Sequence, residues 1–101
     1  MNNTIKEIDI NKIDEILKDI ELIDIREEFE YELECIEGSK NIPMNELLSN
    51  AKKYLNPEKE YYIMCQHAVR SERACSYLSS AGYKVVNVAG GMAEYRGVNR
   101  F

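Results

Sequence analysis

The stretch "YYIMCQHAVRSERACSYL", Tyr61 to Leu78, holds the residues best suited to chemistry. An apolar run stops at Cys65, a short segment of polar and small residues leads to Arg70 and Ser71, and a helical pattern follows. Cysteine reacts as the thiolate, and an ordinary thiol with pKa ~8.5 is only about 3% ionised at pH 7. Unpaired N–H groups at a helix start, together with the helix dipole, favour an anion in front of the helix. If Gln66, His67, Ala68, Val69 and Arg70 curl round the sulfur, their amides form an anion nest. Arg70 adds a fixed charge and a planar donor fork. Such a cup suits covalent catalysis through Cys65, holding a persulfide or a thio-phosphoryl group. From the residues alone, a structural thiol at a βα turn remains open beside it.

The flanking pattern supplies the elements that would position this loop. "TIKEIDI" (4–10), "ELIDI" (21–25), "YYIM" (61–64) and "YKVVNV" (83–88) read as strands, and "CIEGSKNIP" (35–43) as a loop or short strand. Ile13, Ile16, Leu17 and Ile20 follow Asn11 at helical spacing, which predicts a helix capped by Asn11. "REEFEYEL" suits a short surface helix, and Met44, Leu47, Leu48 and Ala51 recur at helical spacing. Ala74, Cys75, Leu78 and Ala81 line one face of the helix after Cys65, and Gly82 can stop it. "AGG" (89–91) allows a tight turn into a last helical turn, "MAEYR". Alternation of strand and helix predicts an α/β fold with a parallel or mostly parallel sheet and helices on both faces. Sites in such sheets lie at the carboxyl ends of strands, where Asp24–Arg26 and Cys65 both fall.

The whole chain narrows the function classes. Its 101 residues suffice for one domain, 1–101, with one core. The formal charge of −5, from 13 basic and 18 acidic residues, argues against a nucleic-acid partner. No apolar run approaches the ~20 residues that span a bilayer, and the first twenty residues lack a signal-peptide core, so the expectation is a cytoplasmic protein without a membrane partner. Three cysteines, at 35, 65 and 75, with one histidine give neither a complete disulfide framework nor a zinc-ligand spacing. The reading calls for no metal and no cofactor.

Three blocks, in order and correctly spaced, resemble a single-domain rhodanese, a sulfurtransferase module. In "DIREEFEYELECIEGSKNIP", Asp24, Arg26, Glu27, Glu30, Tyr31, Ile36, Gly38, Asn41, Ile42 and Pro43 fit the family pattern. "CQHAVRS" resembles the Cys-x-x-Gly-x-Arg-Ser active-site loop, and "RACSYLSSAGYKVVNVAGGMAEY" the last helix–strand–helix block. The resemblance implies a rhodanese-like, mostly parallel five-stranded sheet flanked by helices. It also implies a mechanism. Cys65 takes a sulfane sulfur from thiosulfate or a persulfide donor, and a thiol, protein or other thiophilic acceptor removes it. The loop Gln66, His67, Ala68, Val69, Arg70 and Ser71 would hold the substrate, with Arg70 at the donor's anionic end. Rhodanese-like phosphatases carry a loop one residue longer.

Departures from the pattern are Ala68 in place of glycine, Glu34 and Cys35 in place of Gly-His, and Tyr95 in place of tryptophan. At Ala68, either φ stays negative, or the backbone is strained, or the loop differs in shape. Other residues have competing readings. Ser71 reads first as a helix N-cap. His67 reads as an exposed loop side chain rather than a general base, and Cys75 as core. Cys35 reads as a tolerated replacement rather than a resolving thiol. Asp24 and Arg26 read as bracing the site from a neighbouring strand end, with Arg26 first a structural cation paired with a carboxylate. The glutamates at 27, 28, 30, 32, 34 and 37 form a solvated face that, near the loop mouth, would oppose anionic donors within a Debye length of ~10 Å. Two other function classes stay in view. One is a thiol-based phosphatase or arsenate reductase; the other is a non-catalytic sulfur-sensing or binding module whose cup Ala68 has spoiled.

Overall fold

Five short strands form one sheet in the computed structural model, which describes residues 5–101, and its two longest strands are rich in the β-branched and aromatic residues that suit a pleated, buried surface. The strands are β1 (Lys6–Asp9), β2 (Leu22–Asp24), β3 (Lys40–Asn41), β4 (Glu60–Met64) and β5 (Lys84–Ala89). Their order is β1-β5-β4-β2-β3, and every pair is parallel. Of the expected first strand, Thr4 lies outside the described residues.

Strand residues alternate between faces, so the sheet has a core on each side. Ile23, Tyr61, Ile63 and Val85 pack with Leu47, Ala74, Cys75 and Leu78 from helices α2 (Met44–Ser49) and α4 (Val69–Ser80). On the other face Leu22, Met64 and Val88 meet Ile10, Ile13, Met92 and Tyr95. Each fully buried aliphatic side chain contributes roughly 1.5–3 kcal/mol. The remaining helices are α1 (Glu28–Leu33), α3 (Ala51–Tyr54) and α5 (Gly91–Glu94). Helices therefore cover both faces, as the sequence pattern predicts.

Three local expectations are corrected. The segment after β1 is not an α-helix capped by Asn11; it forms 3-10 turns at Ile10–Glu15 and Leu17–Asp19. Asp9 caps the first, its carboxylate accepting the Asn11 N–H at 2.8 Å. Isoleucines at 10 and 13 stack on one side of a three-residue turn, and both are fully buried. β-Branched isoleucines interleaved with Asp and Asn also weaken α-helix propensity. The Asn11 side chain is used elsewhere. Its amide donates to the Glu94 carbonyl and its oxygen accepts the Arg96 N–H, tying the end of α5 to this segment. Ala81 lies beyond α4 and is exposed, so the apolar face ends at Leu78.

The third correction concerns α4, which begins at Val69. Its N-cap position is Ala68, not Ser71. The tight turn at Ala68 starts the helix early and leaves Ser71 within its first turn, fully buried.

The chain leaves β2 toward β3 and leaves β4 toward β5. The carboxyl edge between β2 and β4 is thus where the connections diverge, the place where a parallel sheet opens a crevice.

Candidate active site

Cys65 follows the last residue of β4 and lies at that crevice, 1% exposed. Its carbonyl accepts the Met92 N–H at 2.8 Å, and the Gln66 carbonyl accepts the Ala93 N–H at 2.9 Å. A trans peptide is planar, with its N–H opposite its C=O. Carbonyls turned toward α5 therefore turn the amides of Gln66 and His67 away from α5. The amides from Gln66 to Arg70 find no acceptor among the described residues. The Ser71 N–H points at the Cys65 sulfur, 3.3 Å away.

Closing the loop this tightly takes one backbone reversal, and it falls on Ala68, at φ 73° and ψ −10°. Ala68 is the one non-glycine residue with positive φ among those described. The left-handed region costs an L-residue roughly 1–2 kcal/mol. Of the three outcomes open for this alanine, the backbone adopts the strained one. The loop keeps a glycine's conformation without a glycine.

Gly91 makes the docking on α5 possible. It has φ +62°, and a Cβ there would collide with the carbonyl oxygens of Cys65 and Gln66. The sequence alone gives Gly91 no site role, although it stands in the Gly-Gly-Met run, and it gives Asn87 none either. The Ser71 hydroxyl lies 2.6 Å from its Oδ1 and 3.1 Å from the Ala68 carbonyl, so a buried side chain of β5 anchors the first turn of α4.

The two arginines differ in partners. Arg26, 3% exposed, pairs with fully buried Asp24 at 2.8 Å. Its remaining donors go to the carbonyls of Glu30 and Glu34 and to Gln66 Oε1. Arg26 thereby links β2, the end of α1 and the active loop. Arg70 stands half-exposed and directs its fork at Glu30, both N–O distances being 3.1 Å. That hydrogen bonding holds the Glu30 carboxyl below the usual carboxylate range, and the same partner raises the Arg70 pKa. Glu30 also accepts the Glu27 N–H at 2.8 Å and closes the capping box of α1.

Beside this pair opens a cleft of about 400 Å³ lined by Arg26, Glu30, Leu33, Glu34 and Gln66. His67 and Val69 are exposed on the loop. All three cysteines are free. Cys75 is fully buried in the core, and burial pushes its thiol up to about 12. Cys35 is buried on the segment that pairs with the C-terminus, its N–H donating to the Phe101 carbonyl at 3.2 Å. Tyr95, in the place of the family's tryptophan, donates its hydroxyl hydrogen to Asp14 at 2.6 Å.

A family model for the rhodanese-like domain matches residues 9–97. The chain is 34% identical over 96 residues to "Putative sulfurtransferase YtwF" of Bacillus subtilis (strain 168), with 92% of each chain covered. It is similar to the crystal structure of SSP1007 from Staphylococcus saprophyticus subsp. saprophyticus at 33% identity and a TM-score of 0.82, covering 89% of this chain and 92% of that one. It is also 31% identical over 93 residues to the tRNA uridine(34) hydroxylase of Hamiltonella defensa, matching 84% of this chain but 26% of that protein. The same domain thus occurs within a protein named for another reaction, and the match by itself selects no substrate.

Proposed function

Since the chain belongs to the rhodanese-like domain family, we propose that it is a cytoplasmic sulfurtransferase that carries sulfur as a persulfide on Cys65. The observation that carries this reading is the Ser71 N–H aimed at the sulfur, within a loop whose other amides are uncommitted. Donors so arranged favour negative charge on the sulfur or on an atom bonded to it.

In the first step Cys65 thiolate attacks the outer sulfur of the donor. With thiosulfate, the sulfur–sulfur bond of the donor breaks, sulfite leaves with the bonding pair, and Cys65 holds a persulfide anion. In the second step an acceptor nucleophile attacks the terminal sulfur and Cys65 thiolate leaves. Cyanide would depart as thiocyanate, and a thiolate as a new persulfide. The five residues from Gln66 to Arg70 match the sulfur-transfer length rather than the longer phosphatase loop. No general base is required if Cys65 reacts as the thiolate, and exposed His67 is left without that role.

The charge around the loop bears on the donor. Arg26 is committed to Asp24, and Arg70 to Glu30. A dianion arriving at Arg70 must displace a carboxylate and approach the glutamates of α1. The favoured donor is therefore a small-molecule or protein persulfide rather than free thiosulfate. Turnover at low salt tests both parts. The expected result is sulfur transfer to cyanide with a higher kcat/KM for a persulfide donor than for thiosulfate, and no hydrolysis of an aryl phosphate. A higher kcat/KM for thiosulfate, insensitive to salt, would refute the donor assignment; aryl-phosphate turnover without sulfur transfer would refute the reaction.

A further inference from the structure

Large apolar side chains stand exposed among the described residues on α1 and at the start of α4, the two elements joined by the Glu30–Arg70 pair. Phe29 is 67% exposed, Leu33 81% and Val69 58%. Isolated exposed apolar residues are ordinary, but several on two joined elements beside one cleft mark an interaction surface. On α1, at 3.6 residues per turn, Leu33 falls between Phe29 and Glu30. Leu33 also lines the cleft. Val69 precedes Arg70 at the start of α4, and the Arg70 guanidinium reaches across to Glu30 on α1.

Charge borders this strip on both sides. On one side Glu30 and Glu34 are paired with Arg70 and Arg100. On the other, the same helical geometry puts Glu28 and Glu32, both exposed and without an ion-pair partner among the described residues. Uncompensated carboxylates beside an apolar strip complement a surface that is apolar at its centre and cationic at its edge.

We infer that Phe29, Leu33 and Val69, with Glu28 and Glu32, form the docking surface for a protein that presents a cysteine on an apolar patch edged by lysine or arginine. This deepens the sulfur-transfer reading and rests on it. The partner's thiolate attacks the terminal sulfur of the Cys65 persulfide anion. A new sulfur–sulfur bond forms on the partner, the bond to Cys65 breaks, Cys65 thiolate leaves, and the transferred sulfur keeps its negative charge as the partner's persulfide. No oxidant is needed.

Two synthetic cysteine peptides test the surface, identical in their apolar residues and flanked by lysine in one and glutamate in the other. The full chain is loaded with sulfur from polysulfide, and single-turnover transfer to each peptide and to cyanide is timed. The lysine peptide should react at least ~10-fold faster at low salt, and the advantage should shrink as screening shortens to about 8 Å near 0.15 M. Glu28→Gln with Glu32→Gln should reduce that advantage, and Phe29→Ser should slow both peptides, with cyanide transfer unchanged in each variant. Equal rates for the two peptides, or variants that alter nothing, would overturn the docking surface while transfer to cyanide upholds the reaction. Self-association of the wild type that Phe29→Ser abolishes would instead assign the strip to a second copy of the chain. No transfer even to cyanide would overturn the sulfur-transfer reading and the surface with it.

Discussion

Arg26 and Arg70 lie on either side of one carboxyl edge and serve it differently. Arg26 is buried, and its donors are spread over a buried carboxylate, two carbonyls and a glutamine oxygen. Arg70 is half-exposed and holds a single bidentate partner, Glu30, at the cleft. One side chain has no freedom to respond to a ligand. The other can exchange its carboxylate for an incoming anion at the cost of one solvent-screened pair. Burial and the number of partners, not residue type, separate a structural cation from a responsive one.

The largest expected effect comes from removing the buried member. Arg26→Ala leaves Asp24 buried without its partner, which costs about 3–5 kcal/mol. Urea unfolding should read a loss of that size; a loss below ~1 kcal/mol would erase the distinction between the two arginines. Arg70→Lys keeps the charge but loses the fork. Stability should change by less than ~1 kcal/mol because the pair is partly exposed, whereas kcat/KM for thiosulfate should fall about tenfold, the loss of one charge-assisted contact.

Glu30→Gln sharpens the same contrast, because glutamine can keep the capping box while freeing Arg70. The expected outcome is a several-fold lower KM for thiosulfate and an unchanged KM for a neutral persulfide donor. Ala68→Gly relieves the left-handed strain in the loop that presents Arg70, offset by the greater freedom of glycine in the unfolded chain. A net stabilisation of about 1 kcal/mol should appear as a rise of a few degrees in Tm.

The smallest effect is in pH dependence. The Glu30 carboxyl has its pKa lowered from 4.5 in the folded state, chiefly by the hydrogen bond from Arg70. Its contribution to stability is therefore present above 4.5 and fades as pH falls through the lower folded value. Titrated into acid, the wild type should lose whatever stability it holds over Glu30→Gln at neutral pH.

The order of strands and helices could be read from the sequence because β-branched runs and i, i+3, i+4 spacing are local properties. Cys65 and its loop could be read because strand end, loop and helix start are contiguous. The segment after β1 could not, since isoleucines at 10 and 13 suit a three-residue turn as well as an α-helix. The start of α4 is not fixed by the sequence: Ala68 in place of a glycine raises the option of a positive φ, but nothing local selects it over the other two outcomes. Contacts between distant segments were also out of reach. Nothing local tells Arg70 to choose Glu30 forty residues away, or gives Gly91 its task of admitting the carbonyls of Cys65 and Gln66. The family blocks included both residues without saying what they touch.

Whether Cys65 carries the sulfur is read directly by intact-mass measurement after incubation with thiosulfate or polysulfide. The expected result is a gain of one sulfur atom in the wild type, removable by cyanide, and no gain in Cys65→Ser. A gain that persists in Cys65→Ser, or no gain in the wild type with any donor, would contradict it.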